Sequence, residues 1–363
     1  MSERLIAGCM TGTSIDGLDA ALVRIDGHGL DMKVELVRSL SRPLRTLGKL
    51  LHSVAVQKRK PIGDAARYAL MLGITHALAL KELIGDDKVD YVVVHGQTVY
   101  HELSVTCQLI NPHPIARELN VPVVYDLRSA DMAAGGEGAP ITPLADHLLF
   151  RDDSETRAVV NLGGYANFTW LPPTRHTGEA ALASIRGGDV CACNQVLDYV
   201  ARRWLKKRYD AGGAAAAQGI VHPEAEQFLR MMLEAQADGG RSLGTGDEAT
   251  DWAKSFQHQC SGEDLAATAC SVIGQLVADS THDAERVILA GGGAMNRTLV
   301  DSIRAHTPGE VVDSDVFGVP GAYREAISMA VLGAASQDGL PLTLAQVTGR
   351  EPAACPKPCW AYP

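Results

Sequence analysis

Hydrophobic and polar positions over the first forty residues predict a β-meander. Leu5 to Met10 is a short apolar run, and Asp19 to Asp26 alternates faces. Gly27-His28-Gly29 then supplies a turn, and Met32 to Val37 alternates again. Helical periodicity follows over roughly 44–58 and 62–84, the second with Ala65, Ala66, Ala69, Leu70, Leu72, Ala77 and Leu80 on one broad face. An apolar strand is predicted over Val89 to Val94, a helix near 112–119, and a second buried strand over Val121 to Tyr125. Near residue 150 the pattern restarts, with strand, Gly-rich turn and strand from Arg157 to Leu171. Helices are predicted over about 194–207, 223–236 and 263–280, then a strand over Arg286 to Ala290 and a closing helix over 322–337.

Strands alternating with helices imply an α/β fold with mainly parallel, covered sheets. At 363 residues the chain is too long for one ordinary core, and its two halves read as copies of one plan. A duplication of this kind predicts two lobes with a ligand cleft between them. The expected first lobe takes residues 1–150 and 322–345, the second 151–321, and a Pro-rich tail 346–363.

Composition narrows the function. The formal net charge is −10, and a nucleic-acid surface needs a concentrated basic footprint. The densest basic run, Arg202 to Arg208, ends a predicted helix, where it complements the helix dipole. The eight cysteines are scattered without a secretory leader, so reduced thiols are expected. Neither Cys191-x-Cys193 nor Cys355-x3-Cys359 has the usual spacing of a zinc site. Leu5 to Cys9 resembles a lipoprotein cleavage site, but only Leu5, Ile6 and Ala7 precede it as an apolar stretch, too few for export. No run reaches the roughly 20 apolar residues of a membrane span. A cytoplasmic protein is expected.

Three Gly-rich turns follow buried strands. The first, Gly8 to Asp19, places Gly12 and Gly17 around Thr11, Thr13 and Ser14. Glycines let backbone N–H groups approach phosphate, and hydroxyls add donors. Asp16 and Asp19 are candidates to hold Mg²⁺ through water, since that ion prefers oxygen ligands. No Gly-Lys-Ser/Thr follows, so this is not a Walker loop. The second turn, Asn161 to Asn167, contains Gly163 and Gly164 at the matching place in the second half. The third, Gly291-Gly292-Gly293-Ala294-Met295-Asn296, lies between a strand and a helix. Together they predict a clamped nucleotide, although each alone is also an ordinary turn. Between them, Arg128, Asp131 and Glu137 could hydrogen-bond a small hydroxylated substrate, and His95, Gln97 and His101 gather at a strand's carboxyl end.

These segments together resemble the anhydro-N-acetylmuramic acid kinase family, within the acetate/sugar kinase, heat-shock chaperone and actin superfamily. The matching pieces are Met10 to Asp19, His95 to Thr98, Asp126 to Pro140, Asn161 to Asn167, Tyr209 to Gly213 and Gly291 to Asn296, in the family's order. The resemblance implies a duplicated ribonuclease H-like, actin-like ATPase fold with an interdomain cleft, and often a homodimer. It also implies a kinase of peptidoglycan recycling using ATP and Mg²⁺. In that reaction water opens the 1,6-anhydro bridge of the sugar while the freed O6 takes the γ-phosphate. It assigns the nucleotide to Gly12, Thr13, Ser14, Ile15, Asp16, Gly17, Leu18, Asp19, Gly163, Gly164, Asn167, Gly291, Gly292, Gly293 and Asn296. The sugar falls to His95, Gln97, Arg128, Asp131, Glu137 and Asn194. The general base of the family's Asp-Thr-Gly-Pro-Gly-Asn segment maps to Asp189 through Asp189-Val-Cys-Ala-Cys-Asn194. Cys191-Ala192-Cys193 replaces Gly-Pro-Gly, and Glu137 replaces the usual Gln. A related amino sugar, or a nucleotide-binding sensor without turnover, therefore stand as alternatives.

Overall fold

Strand β1 (Arg4–Met10) buries Ile6, Ala7, Gly8 and Cys9 in succession, the mark of a strand covered on both faces. It pairs antiparallel with β2 (Gly17–Asp26), which pairs antiparallel with β3 (Lys33–Pro43). Strand β4 (Tyr91–Val94) runs parallel to β1 on its other side. Strands β5 (Gln97–Glu102) and β6 (Val105–Leu109) make a separate hairpin, and β7 (Val123–Tyr125) runs parallel to β4. The computed structural model describes residues 3–12, 14–102, 105–174, 179–237, 243 and 249–363, so the expected nucleotide residue Thr13 lies outside the described residues.

These strands belong to the first of two compact units, made of Met1–Arg151, His176–Ile185 and Phe317–Pro363. One face of its sheet, with Ala7, Cys9, Leu18, Ala20, Leu22, Val92 and Val94, packs on the helices Arg45–Ala55 and Ile62–Ile84. The opposite face carries the helix Arg324–Gln337. That helix approaches so closely at Gly8 that a Cβ there would stand 2.0 Å from the Ala326 carbonyl oxygen and 2.7 Å from the Ala330 nitrogen. Its start is anchored by a buried ion pair, Arg324 with Asp146, at 1% and 0% side-chain exposure.

The second unit comprises Asp152–Arg175 and Arg186–Val316. Its sheet is built from β8 (Arg157–Leu162), β9 (Tyr165–Leu171), β10 (Arg186–Ala192), β11 (Arg286–Ala290) and β12 (Glu310–Asp313). The strand order β10-β9-β8-β11-β12 repeats β3-β2-β1-β4-β7 of the first unit. The pairing also repeats, two antiparallel steps and then two parallel ones. Each unit thus has the five-stranded plan of the ribonuclease H-like fold, and the duplication read from the sequence is a duplication of topology. The core of the second unit is filled from the helices Asn194–Val200, Pro223–Ala237, Gly262–Ser280 and Arg297–His306. Ser261 opens the long Gly262–Ser280 helix with a capping box to Asp264. The helix expected over 194–207 is α-helical only to Val200, then runs as a π turn over Ala201–Leu205.

Beyond a one-residue shift at Arg151, the limits of the units differ from the sequence expectation in three places, and the segment 317–321, expected in the second lobe, falls in the first unit. Ile185 and Leu182 belong with the first unit, where their carbonyls accept from the Gln346 side-chain amide at 3.2 and 2.7 Å. The expected tail, 346–363, also belongs there. Strand β13 (Cys359–Ala361) adds antiparallel to β7, and Trp360 meets Tyr91 edge-on at 5.4 Å. A three-residue strand among prolines leaves no periodicity to read. Among the described residues no helix is long and apolar enough to cross a membrane.

Gly8→Ala should cost at least about 1–3 kcal/mol of stability, the usual penalty of overpacking, because backbone rather than a side chain would have to move. Gly17→Ala, whose nearest neighbour is 3.6 Å away, should be close to neutral. Denaturant midpoints of the two variants check the contrast.

Candidate active site

In the first unit, the turn between β1 and β2 is tied to the start of β5. Thr11 Oγ1 donates to the Gly96 carbonyl at 2.9 Å, and Gln97 Nε2 donates to the Gly12 carbonyl at 3.2 Å. Ile15 takes a left-handed φ of 55° and donates its N–H back to the Gly12 carbonyl. Ile15 and Leu18 are buried in the core, so they offer a ligand their main chain and not their side chains. Ser14 is exposed and bonds Asp16 at 2.6 Å.

His95 extends this network. It is buried, its Nδ1–H donates to the Gly96 carbonyl, and its Nε2 accepts from Arg128 Nε at 2.8 Å. Burial first, and the Arg128 charge second, push its pKa down to about 3. The ring is a neutral linker between Arg128 and the phosphate-loop candidate. Arg128 also donates to the Gly138 carbonyl at 2.7 Å. Gln97 is fully buried, and its Oε1 has no hydrogen-bond partner among the described residues. It is an acceptor that a bound hydroxyl could satisfy. His101 is held by Thr106 on the hairpin, its pKa lowered to about 4 by burial and Arg128.

Asp131 does not join them. It is 0% exposed and accepts from the Gly138 N–H and from the hydroxyls of Thr343 and Thr348, with Arg350 3.6 Å away. Its carboxylate fastens residues 343–350 to the Arg128–Gly138 loop, which is a structural task. Glu137 is half-buried and its N–H donates to the Thr348 carbonyl.

The acidic side of the site holds Asp16, Asp19 and a residue that the sequence pattern does not single out, Glu325. Burial raises the Asp19 pKa; the Ser41 hydroxyl opposes this, and Asp16 adds to it. Glu325 is raised by burial and by Asp19 and Asp146, against Arg324 and Arg128. In the sequence, a Glu in the first turn of an apolar helix reads as a partner of the helix dipole, so it carries no signal of its own. Asp16 and Asp19 present hard oxygen donors, and an acidic group raised by burial and a like charge favours a nearby cation. These residues fit a hydrated Mg²⁺. Among the described residues no group of three or more His, Cys, Asp or Glu is arranged to enclose a metal.

In the second unit, the glycine turns close on one another. Asn194 Nδ2 donates to the Leu162 carbonyl at 3.0 Å, and the N–H groups of Cys193 and Asn194 donate to the Gly164 and Gly163 carbonyls. Asn194, expected on the sugar, therefore clamps the β8–β9 turn. Gly291 has φ 85°, and a Cβ on it would lie 2.7 Å from Asn161 Oδ1. Asn296, expected on the nucleotide, is buried and caps the helix Arg297–His306 by accepting from the Leu299 N–H at 3.1 Å. Gly213 packs against it so tightly that a Cβ would stand 2.1 Å from Asn296 Oδ1. Gly292 is exposed, with nothing nearer to a Cβ than the Asn194 amide at 3.8 Å. It is the most open approach among these three glycines.

Asp189 lies on β10 opposite Asn167, where a bulge separates it from Cys191. A bulge re-aims side chains. Asp189 Oδ2 accepts from the Leu243 N–H at 2.6 Å, a contact that sequence spacing could not reveal. Cys191 and Cys193 are fully buried. Burial, with Asp189 second, pushes the Cys191 thiol up to about 12, and burial also holds the Cys193 thiol well above its ordinary value. Thiols held protonated in a core are packing groups.

Three buried histidines of the first unit share one consequence. His76 and His147 are lowered to about 4 and His95 to about 3, all chiefly by burial. The unfolded chain takes up their protons first, near pH 6.5, so the stability they carry is complete above that pH and drains as pH falls toward 4 and 3. Each can contribute a slope of up to ~1.4 kcal/mol per pH unit there. Chemical denaturation at pH 7, 6 and 5 should show this loss, and His95→Gln should make it shallower. An unchanged slope in that variant would exclude His95.

A family model described as Anhydro-N-acetylmuramic acid kinase matches residues 4–355. The chain is 33% identical over 384 residues to the anhydro-N-acetylmuramic acid kinase of Salinibacter ruber, covering 96% of this chain and 94% of that one. It is 30% identical over 370 residues to the Bacillus cereus (strain G9842) protein of the same name, covering 95% and 96%. Among solved structures it is similar to the activator of the 2-hydroxyisocaproyl-CoA dehydratase from Clostridium difficile with bound ADPNP, at 14% identity, 93% and 96% coverage and a TM-score of 0.48. The matched span takes in both units, with the β1–β2 turn, the His95–Gln97 segment and the Asp189 strand alike, and the chain belongs to the anhydro-N-acetylmuramic acid kinase family.

Proposed function

We propose that this kinase opens the 1,6-anhydro bridge of anhydro-N-acetylmuramic acid with water and transfers the γ-phosphate of ATP to O6, in cell-wall recycling in the cytoplasm. The observation that carries the reading is Asp189. It is a carboxylate re-aimed by a β-bulge and oriented by the Leu243 N–H, in a chain matched to the family over residues 4–355.

Asp189 takes a proton from a water molecule whose oxygen forms a bond to C1. The C1–O6 bond breaks, and O6 keeps its electron pair and attacks the γ-phosphorus. The bond from phosphorus to the β-bridging oxygen breaks, ADP leaves, and the proton on Asp189 passes to solvent. A general base of this kind contributes roughly 10²–10⁴-fold. Backbone N–H groups of the Gly12–Asp19 segment, other than the Ile15 N–H that the Gly12 carbonyl takes, would donate to phosphate, and Gly292 gives a flat ligand room. The buried Gln97 acceptor, with Arg128 and Glu137, is suited to sugar hydroxyls. Asp131, Asn194 and Asn296 support these groups instead of touching ligand. Mg²⁺ near Asp16 and Asp19 would neutralise charge on the transferred phosphoryl.

A homodimer is supported by an exposed apolar stripe on the helix Ile62–Ile84, where Leu70, Met71, Ile74 and Leu78 are 43–52% exposed. The second chemical reading, a related amino sugar, is favoured by Cys191-Ala192-Cys193 in the segment that carries the base.

In a coupled ADP-release assay, anhydro-N-acetylmuramic acid should stimulate turnover well above N-acetylmuramic acid and N-acetylglucosamine. Turnover with none of them, while ATP still binds, would refute the proposed substrate. Asp189→Asn should lower kcat by roughly 10²-fold or more and leave nucleotide affinity within about twofold. A variant keeping more than about a tenth of wild-type activity would place the base elsewhere. Sedimentation should show a dimer that charges on either side of Ile74 disrupt, tested with the Leu70→Lys and Leu78→Lys pair.

A further inference from the structure

The carboxylate of Asp19 is held by residues from two other elements. Asp19 on β2 lies directly opposite Ser41 on β3, and Ser41 Oγ donates to Asp19 Oδ1. Tyr323 places its hydroxyl 3.2 Å from Ser41 Oγ. A serine hydroxyl has one proton. With that proton on the carboxylate, Tyr323 is the donor to Ser41, and a chain runs from Tyr323 through Ser41 to Asp19.

The far end of this chain is rigid. Tyr323 immediately precedes the helix Arg324–Gln337, its carbonyl accepts from the Ile327 N–H at 2.9 Å, and its N–H donates to the Pro320 carbonyl at 2.8 Å. The next residue, Arg324, is the buried partner of Asp146.

We infer that Ser41, backed by Tyr323, is a positioning residue that sets the orientation of Asp19 toward a hydrated divalent cation. This rests on the reading of Asp19 as a carboxylate that holds Mg²⁺ through water. A purely structural role for the pair is weak on energetic grounds. Ser41 is exposed, and an exposed hydroxyl exchanges a water hydrogen bond for a protein one at little net gain. Its effect is directional: with Oδ1 fixed by Ser41, the carboxylate plane is set and Oδ2 is aimed. Partners of this outer kind typically change metal affinity by 10–100-fold.

The test is Mn²⁺ alone, titrated into nucleotide-free full-length protein with the free ion read by EPR. It compares wild type, Asp19→Asn, Ser41→Ala, Ser41→Thr and Tyr323→Phe, each checked by thermal unfolding. Asp19→Asn and Ser41→Ala should each weaken Mn²⁺ binding by about tenfold or more. Ser41→Thr, which keeps the hydroxyl, should return to within about threefold of wild type. Tyr323→Phe should weaken binding less than Ser41→Ala and add nothing in the Ser41→Ala background. If Ser41→Ala binds Mn²⁺ like wild type while Asp19→Asn loses it, Ser41 is only a strand contact and the inference fails. If Asp19→Asn itself binds like wild type, the cation is held elsewhere and the underlying reading fails first.

Discussion

The closeness of the helix Arg324–Gln337 to β1 governs what the first unit can present at the β1–β2 turn. With no side chain at Gly8, helix backbone and strand backbone come within contact distance. Tyr323, Arg324 and Glu325, at the helix start, then stand beside Asp19 and Ser41 at the end of the meander. A helix held even one side-chain layer further off would carry these groups away from the turn. The Arg324–Asp146 pair fixes the same end of the helix, and breaking a buried pair of this kind typically costs about 3–5 kcal/mol. Packing in the core and chemistry at the surface are here set by one contact.

The strand–helix order, the repeat near residue 150 and the three glycine turns are legible in the sequence because each leaves a local pattern. Period-2 and period-3.6 alternation reports which faces are buried, and glycine after an apolar strand reports a turn. What stays hidden depends on partners far apart in sequence. The strand β13 is three residues long and is defined only by pairing with β7. The strand β10 gives no strand signal, because Arg186-Gly-Gly-Asp does not alternate. Glu325 reads as a helix-dipole acid until the fold sets it among Arg324, Arg128, Asp19 and Asp146.

The same reason explains why the internal partners of some polar residues of the matching segments could not be read from the sequence. Asp131, Asn194 and Asn296 are polar residues in loops beside a site, and from sequence they are indistinguishable from ligand contacts. Their partners separate them: each bonds main-chain or hydroxyl groups of a neighbouring segment, and Asp131 and Asn296 are buried as well. Losing such a partner would leave an unsatisfied group, at about 1–3 kcal/mol. Arg128 and His95 are intermediate, since they brace one another while remaining at the phosphate-loop candidate.

The first unit is discontinuous, and this gives the protein a particular order of assembly during synthesis. The second unit's last strand, β12, is complete at Asp313, but β1 must wait for residues 324–337 before its second face is covered. At typical rates of about 5–20 residues per second, the interval between making Gly8 and making Ala330 is roughly 15–60 s. Throughout it, Ile6, Val23 and Val93 line a sheet face with no helix on it. The N-terminal half is therefore the last to finish folding, and it is the segment with most need of protection on the ribosome.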